Sequence, residues 1–255
     1  MFIINEKDIE FNKLKLLSDE GSECVAYKYD KSVVKFFRPH YKHSHITIDD
    51  IFKLRIIPTK RILFPTNAIV NRQNNLIGYQ MPLIEGEKDI QNEPIQHIFD
   101  EMQVLQDDMD LLDKHNIALY DINPSNSIYN GKLYLIDPGN YVINDINVIK
   151  RQIDPINLCD DNKKLLRIWN ENKINQLFDM LLFSQNLSID AYRFRLIVQF
   201  FIKEKEKRGV NYNLEVFKDY FDSNLTVKDS VDKFFKEYIK ENPKEREWYL
   251  SSHKH

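Results

Sequence analysis

The chain has 255 residues, enough for one large domain or two small lobes that bury most of their surface without disulfides. Hydrophobic residues make up 42% and charged residues 29%, which excludes disorder as a whole; a net charge of −3 excludes a general positive field for wrapping nucleic acid. Cys24 and Cys159 form neither a disulfide framework nor a metal-ligand spacing, and no apolar run approaches the roughly 20 residues that span a bilayer. With no basic stretch leading into an apolar run near Met1, a cytoplasmic protein with neither membrane nor nucleic-acid partner is expected.

In chain order, the first third reads as strands and turns. CVAYKY (24–29) and SVVKFF (32–37) flank Asp30-Lys31, a hairpin signal. NAIV (67–70) and LIGYQM (76–81) flank a polar turn and form a second hairpin. Between them Ile46, Asp49, Asp50, Ile51, Leu54 and Arg55 read as a short helix, closed off by Pro58 and Pro65. The remainder reads as helix. Ile98, Met102, Leu105, Met109 and Leu112 recur at helical spacing on one face. Ile174, Leu177, Phe178, Leu181 and Leu182 repeat that pattern, as do Val231, Phe234, Phe235, Tyr238 and Ile239. Tyr192 to Ile202 reads as a buried helix, and KEKEKR (203–208) as a solvated helix face. One small hairpin interrupts the helices: SIY (127–129) and KLYLI (132–136) join at Asn130-Gly131, a strong two-residue turn signal. The boundary between the β-rich and helical parts falls near Pro82 to Pro94, and the polar tail after Pro243 is expected to fray.

The chemistry concentrates in HNIALYDINPSNSIYNGKLYLIDPG (115–139). Asp121 and Asn126 share one loop, a hairpin follows, and Asp137 comes after it with Gly139 close behind. Phosphoryl transfer from magnesium-bound ATP needs such a set. One Asp accepts the proton of the attacking hydroxyl, and an Asn and a second Asp hold the metal between the phosphates.

These residues resemble the protein kinase superfamily, in a divergent bacterial-type form. The family's catalytic-loop signature is matched by Leu119-Tyr120-Asp121-Ile122-Asn123-Pro124-Ser125-Asn126, and its second motif by Asp137-Pro138-Gly139. Lys35, in the apolar run Val33-Val34-Lys35-Phe36-Phe37, resembles the strand lysine that holds the α- and β-phosphates. Upstream, Glu20-Gly21-Ser22-Glu23-Cys24-Val25-Ala26 resembles a phosphate-covering loop, with Gly21 the one glycine kept. Met81-Pro82-Leu83-Ile84-Glu85-Gly86 resembles the hinge. There the backbone of Pro82 and Ile84 would meet adenine while Met81 guards the back of its pocket. Asp50 is the choice for the acidic partner of Lys35, since no Glu lies between Cys24 and Ile84.

The resemblance implies an α+β, two-lobed kinase-like fold: a small antiparallel β N-lobe with one helix over 1–81, a hinge at 82–86 and a mainly helical C-lobe over 87–255. It implies ATP and Mg2+ as cofactors, Asp121, Lys35 and Asn126 as catalytic residues, and Asn126 and Asp137 as metal ligands. Gly21, Ser22, Lys35, Met81, Pro82, Ile84 and Asp137 would bind ATP. Transfer would go to a Ser/Thr hydroxyl of a protein substrate. Departures bear on that last point. Leu119 and Tyr120 stand for the usual His and Arg, Pro138 for Phe and Asn123 for a common Lys, and no Ala-Pro-Glu follows Gly139. Aminoglycoside and choline kinases look similar in this loop, so a small-molecule acceptor is the alternative. A pseudokinase acting as a binding module is the second alternative.

Overall fold

The computed structural model describes residues 2–21, 23–39, 46–136, 141–143, 161–184 and 189–241. The chain is α+β and divides into two compact units, one of Met1–Lys88 with Val104–Lys173, the other of Asp89–Gln103 with Ile174–His255. The segment 82–86 lies inside the first unit.

The first unit is built on a sheet of β1 (Ile3–Asn5), β2 (Lys15–Ser18), β3 (Cys24–Tyr29), β4 (Ser32–Phe37), β5 (Asn67–Val70) and β6 (Leu76–Pro82), in the order β1-β5-β6-β4-β3-β2. The expected small antiparallel sheet is corrected to a mixed one, because β1 pairs parallel with β5 through Ile3 opposite Ala68. Three residues are too few to show an alternating pattern, and a partner 65 positions away leaves no local turn signal. The two expected hairpins form at β3–β4 and β5–β6.

Alternation along the strands gives the sheet two apolar faces. On one, Ala68, Tyr79 and Met81 pack with Ile51 of α1 (Ile48–Leu54); on the other, Ile9, Val34 and Ile69 cluster. α1 starts at a capping box: Asp50 N–H donates to Thr47 Oγ1 at 3.1 Å and Thr47 N–H donates to Asp50 Oδ2 at 2.9 Å.

The C-terminal part of α2 (Ile95–Lys114) brings a buried carboxylate to this unit. Asp108 accepts from the backbone N–H groups of Lys60, Arg61 and Ile62 at 2.8, 2.5 and 3.1 Å. The loop so fixed runs beside the small hairpin of β8 (Ser127–Tyr129) and β9 (Leu133–Leu135), where Leu135 N–H donates to Arg61 O and Leu63 N–H to Leu135 O, both at 2.9 Å. The turn between β8 and β9 needs a left-handed residue, and Gly131 supplies it at φ +98°. A short antiparallel pair joins β7 (Ile117–Leu119) to β10 (Tyr141–Ile143). The N-terminal part of α3 (Asn162–Asp179) completes the unit.

The second unit is helical, with α4 (Ala191–Arg208), α5 (Asn213–Tyr220) and α6 (Val227–Glu241). Its core is aromatic. Phe99, Phe183, Phe201, Phe217, Phe221 and Phe234 interlock edge-on and stacked, with Phe201 and Phe217 centroids 4.7 Å apart. The run 203–208 forms the exposed end of α4, where Glu204 pairs with Lys207 and Arg208, and Arg208 also pairs with Asp219. Among the described residues no helix is long and apolar enough to cross a membrane.

Candidate active site

The loop after β7 is organised by its own amides. Asn123 caps the short helical turn Pro124–Asn126, its Oδ1 accepting from Asn126 N–H at 3.2 Å, and Pro124 fits the first position of that turn. Both Asn side chains then converge on Asp121. Asn123 Nδ2 donates to Oδ1 at 2.7 Å, and Asn126 Nδ2 donates to Oδ2 at 3.0 Å and to the Asp121 carbonyl at 3.1 Å. The carboxylate is thereby fixed in orientation while staying exposed to solvent. Because Asn126 donates through Nδ2, its Oδ1 remains the atom able to meet a hard cation.

α3 holds this loop from below. Asn170, 1% exposed, accepts from Leu119 N–H at 3.2 Å and donates to Ile117 O at 2.8 Å, pairing with β7 as a neighbouring strand would. Trp169 Nε1 donates to Leu119 O at 2.9 Å, and its ring lies 5.5 Å from that of Tyr120. Asp113 at the end of α2 accepts from Asn170 Nδ2 at 2.6 Å.

Burial pushes the Asp113 carboxyl up to about 6; the Asn170 hydrogen bond opposes the shift and the Asp110 charge adds to it. The folded state therefore favours neutral Asp113. The stability it contributes is complete below about pH 4 and is lost as pH rises through about 6. A displacement of that size is worth about 3 kcal/mol when fully buried, and the partial exposure of Asp113 reduces it to about 1–2 kcal/mol. Asp113→Asn keeps an acceptor for Asn170. It is expected to exceed the parent's stability by about 1–2 kcal/mol at pH 7.5 and to match it at pH 4. Urea midpoints at the two pH values check this, and an equal gap at both would contradict the assignment.

A cleft of about 670 Å³ opens in the first unit, within the size range of small-molecule sites. Its lining brings together Gly21, Lys35, Met81, Pro82, Ile84, Asp121 and Asn126, seven of the residues singled out in the sequence. Lys35 is 8% exposed, on β4 between Ala26 of β3 and Tyr79 of β6. Apolar surface comes from Leu17, Ala26, Val33, Ile128 and Ile136, and acidic groups from Glu20, Glu23 and Glu87. The hinge-like segment is tied to the β8–β9 hairpin, with Lys88 N–H donating to Tyr129 O at 2.7 Å and Asn130 Nδ2 to Glu85 O at 3.0 Å. Asp50 is not among the lining residues; its carboxylate takes part in the α1 capping box. Ser22 and Asp137 lie outside the described residues. Ile136, immediately before Asp137, lines the cleft and donates its N–H to Asn126 O at 2.9 Å.

Two contributors carried no clear sequence signal. Arg38, just past β4, donates Nε to Gly21 O at 2.8 Å and Nη2 to Asp19 O, and its own N–H binds Glu23 O at 2.8 Å. It clamps the loop that borders the cleft. Gly78 of β6 faces Phe36, and a Cβ there would sit 2.2 Å from the Lys35 carbonyl oxygen. A glycine inside a strand was the available cue for this close approach.

No protein-family model matches the chain, and no curated protein does either.

Proposed function

We propose that the protein is an ATP- and magnesium-dependent phosphotransferase of kinase-like, two-lobed fold, acting on the hydroxyl of a protein Ser/Thr side chain. The observation that carries this reading is the convergence of Gly21, Lys35, Met81, Ile84, Asp121 and Asn126 on one cleft from more than a hundred residues of chain. Each has a role there. Adenine would lie between Ala26 and Val33 on one side and Ile128 on the other, bonded to the backbone of Pro82 and Ile84. Lys35 would pair with the α- and β-phosphates. Asn126, through Oδ1, and Asp137 would hold magnesium, which when bound neutralises charge on the β- and γ-phosphates.

Asp121 faces the acceptor. Its carboxylate, oriented by Asn123 and Asn126, takes the hydroxyl proton as the acceptor oxygen bonds to the γ-phosphorus. The bond from that phosphorus to the β–γ bridging oxygen breaks, and ADP leaves with the electron pair. Arg38 keeps the carbonyls of Asp19 and Gly21 engaged, so that they are not offered to the phosphates. Arg38→Ala is expected to raise the Kd for magnesium-ATP about tenfold, about 1.4 kcal/mol. Titration calorimetry reads this, and an unchanged Kd would show that the clamp does not serve nucleotide.

A small cationic alcohol is a second acceptor class, favoured by Glu20, Glu23 and Glu87 along the same cleft. Incubation with ATP labelled in the γ-phosphate tests both readings. Label in the chain itself or in added protein supports the first, and label in a pool of amino alcohols supports the second. Absence of transfer despite nucleotide binding would leave a binding module.

A further inference from the structure

Lys173 is a titratable group near the site that the reaction above does not use. It follows Trp169 by four residues and Asn170 by three, so all three share the face of α3 that holds the catalytic loop. Its Nζ lies 4.7 Å from the Trp169 ring centroid and 5.9 Å from that of Tyr120, the residue before Asp121. The side chain is half-buried, and among the described residues it forms no ion pair within 4 Å. Burial pushes its ammonium down from the usual lysine range, and among the described residues the charge of Asp121 opposes this.

Aromatic faces attract a cation but do not neutralise it, and a partly desolvated ammonium that has no ion pair among the described residues favours an arriving anion. We propose that Lys173 is a catalytic residue that meets the transferring phosphoryl group beside Asp121, the γ-phosphate being the anion this ammonium awaits. The assignment rests on the phosphotransferase reading. Lys173 does not line the cleft in which the rest of the nucleotide would bind. Its contribution is therefore to the group in flight, where charge passes from the nucleotide towards the acceptor at Asp121. It supplies the positive charge that Asn123, in its loop-capping role, does not.

The test compares Lys173→Met and Lys173→Arg with the parent chain, using magnesium-ATP as ground-state ligand and magnesium-ADP with aluminium fluoride as mimic of the planar phosphoryl group. Methionine keeps an apolar stem on Trp169, and arginine keeps the charge. For Lys173→Met the Kd of the ADP–aluminium fluoride complex is expected to rise at least tenfold while that of ATP stays within about threefold; Lys173→Arg is expected to recover most of the loss. Melting temperatures of the ligand-free proteins report on folding. Equal weakening of both ligands, or no change in either, would overturn the role of Lys173. A parent chain that binds neither ligand would overturn the phosphotransferase reading itself, so the parent and variant arms separate the two failures.

Discussion

Asp121→Asn is expected to lower phosphoryl transfer by about 10²–10⁴-fold while leaving the Kd for magnesium-ATP within about threefold. The substitution is isosteric but removes the group proposed to accept the hydroxyl proton. It also places an amide where Asn123 Nδ2 and Asn126 Nδ2 both donate, at 2.7 and 3.0 Å, so one of these contacts becomes donor against donor. Loop order survives this, because β7 is held independently by Asn170 and Trp169. Nucleotide contacts survive as well, since adenine and the α- and β-phosphates are assigned to the hinge and Lys35. Single-turnover transfer with labelled ATP and calorimetric ATP binding, measured on one preparation, read the two quantities. Transfer at the parental rate would remove Asp121 from the mechanism.

What was legible in the sequence was short-range. Asp30-Lys31 and Asn130-Gly131 announce hairpins because a tight turn dictates its own residues. Asp121, Asn123 and Asn126 announce an organised loop because their side-chain hydrogen bonds lie within five positions of each other. What was not legible depends on distant partners. Nothing in Ile3–Asn5 points to β5, and nothing in α2 marks Asp108 as the acceptor for a loop 46 to 48 residues away. Asn170 inside a helix reads as a weak helix former until the strand it grips is in place. Asp50 shows the converse. A carboxylate in a first helical turn commonly has a local use, and Asp50 has one in the capping box.

Tyr120 stands where the motif that this loop resembles carries an arginine, and the difference changes the physics of the loop. An arginine there would be a charge needing a counter-ion; Tyr120 instead packs on Trp169 in a cluster with Ala118 and Leu166. Tyr120 itself offers no charge to a phosphate on the segment 140–168; the cation beside it is Lys173. The loop is thus anchored by apolar contact and by the Trp169 and Asn170 hydrogen bonds.

Gly78→Ala is expected to abolish measurable nucleotide binding and to destabilise the first unit by about 2–3 kcal/mol. The added methyl would lie 2.2 Å from the Lys35 carbonyl oxygen and 3.1 Å from both the Lys35 carbonyl carbon and the Phe36 Cα. All three are backbone atoms, so no rotamer change relieves the clash. β4 must move away from β6, which breaks the register of Lys35 opposite Tyr79 and Phe36 opposite Gly78. The neighbouring strand cannot yield alone, since β4 is also paired over its whole length with β3. Lys35 would be displaced from the cleft in proportion, and a shift of about 1 Å in a phosphate-binding group is enough to cost about 10²-fold. Urea unfolding measures the stability loss, and an ATP-induced rise in melting temperature measures binding. The control is Gly86→Ala, at φ +79° with no atom near its added Cβ. That variant is strained in backbone but leaves Lys35 in place, so it should lose stability and keep ATP binding. Gly78→Ala that still shifts its melting temperature with ATP as the parent does would show that the approach of β6 to Lys35 is not what positions the lysine.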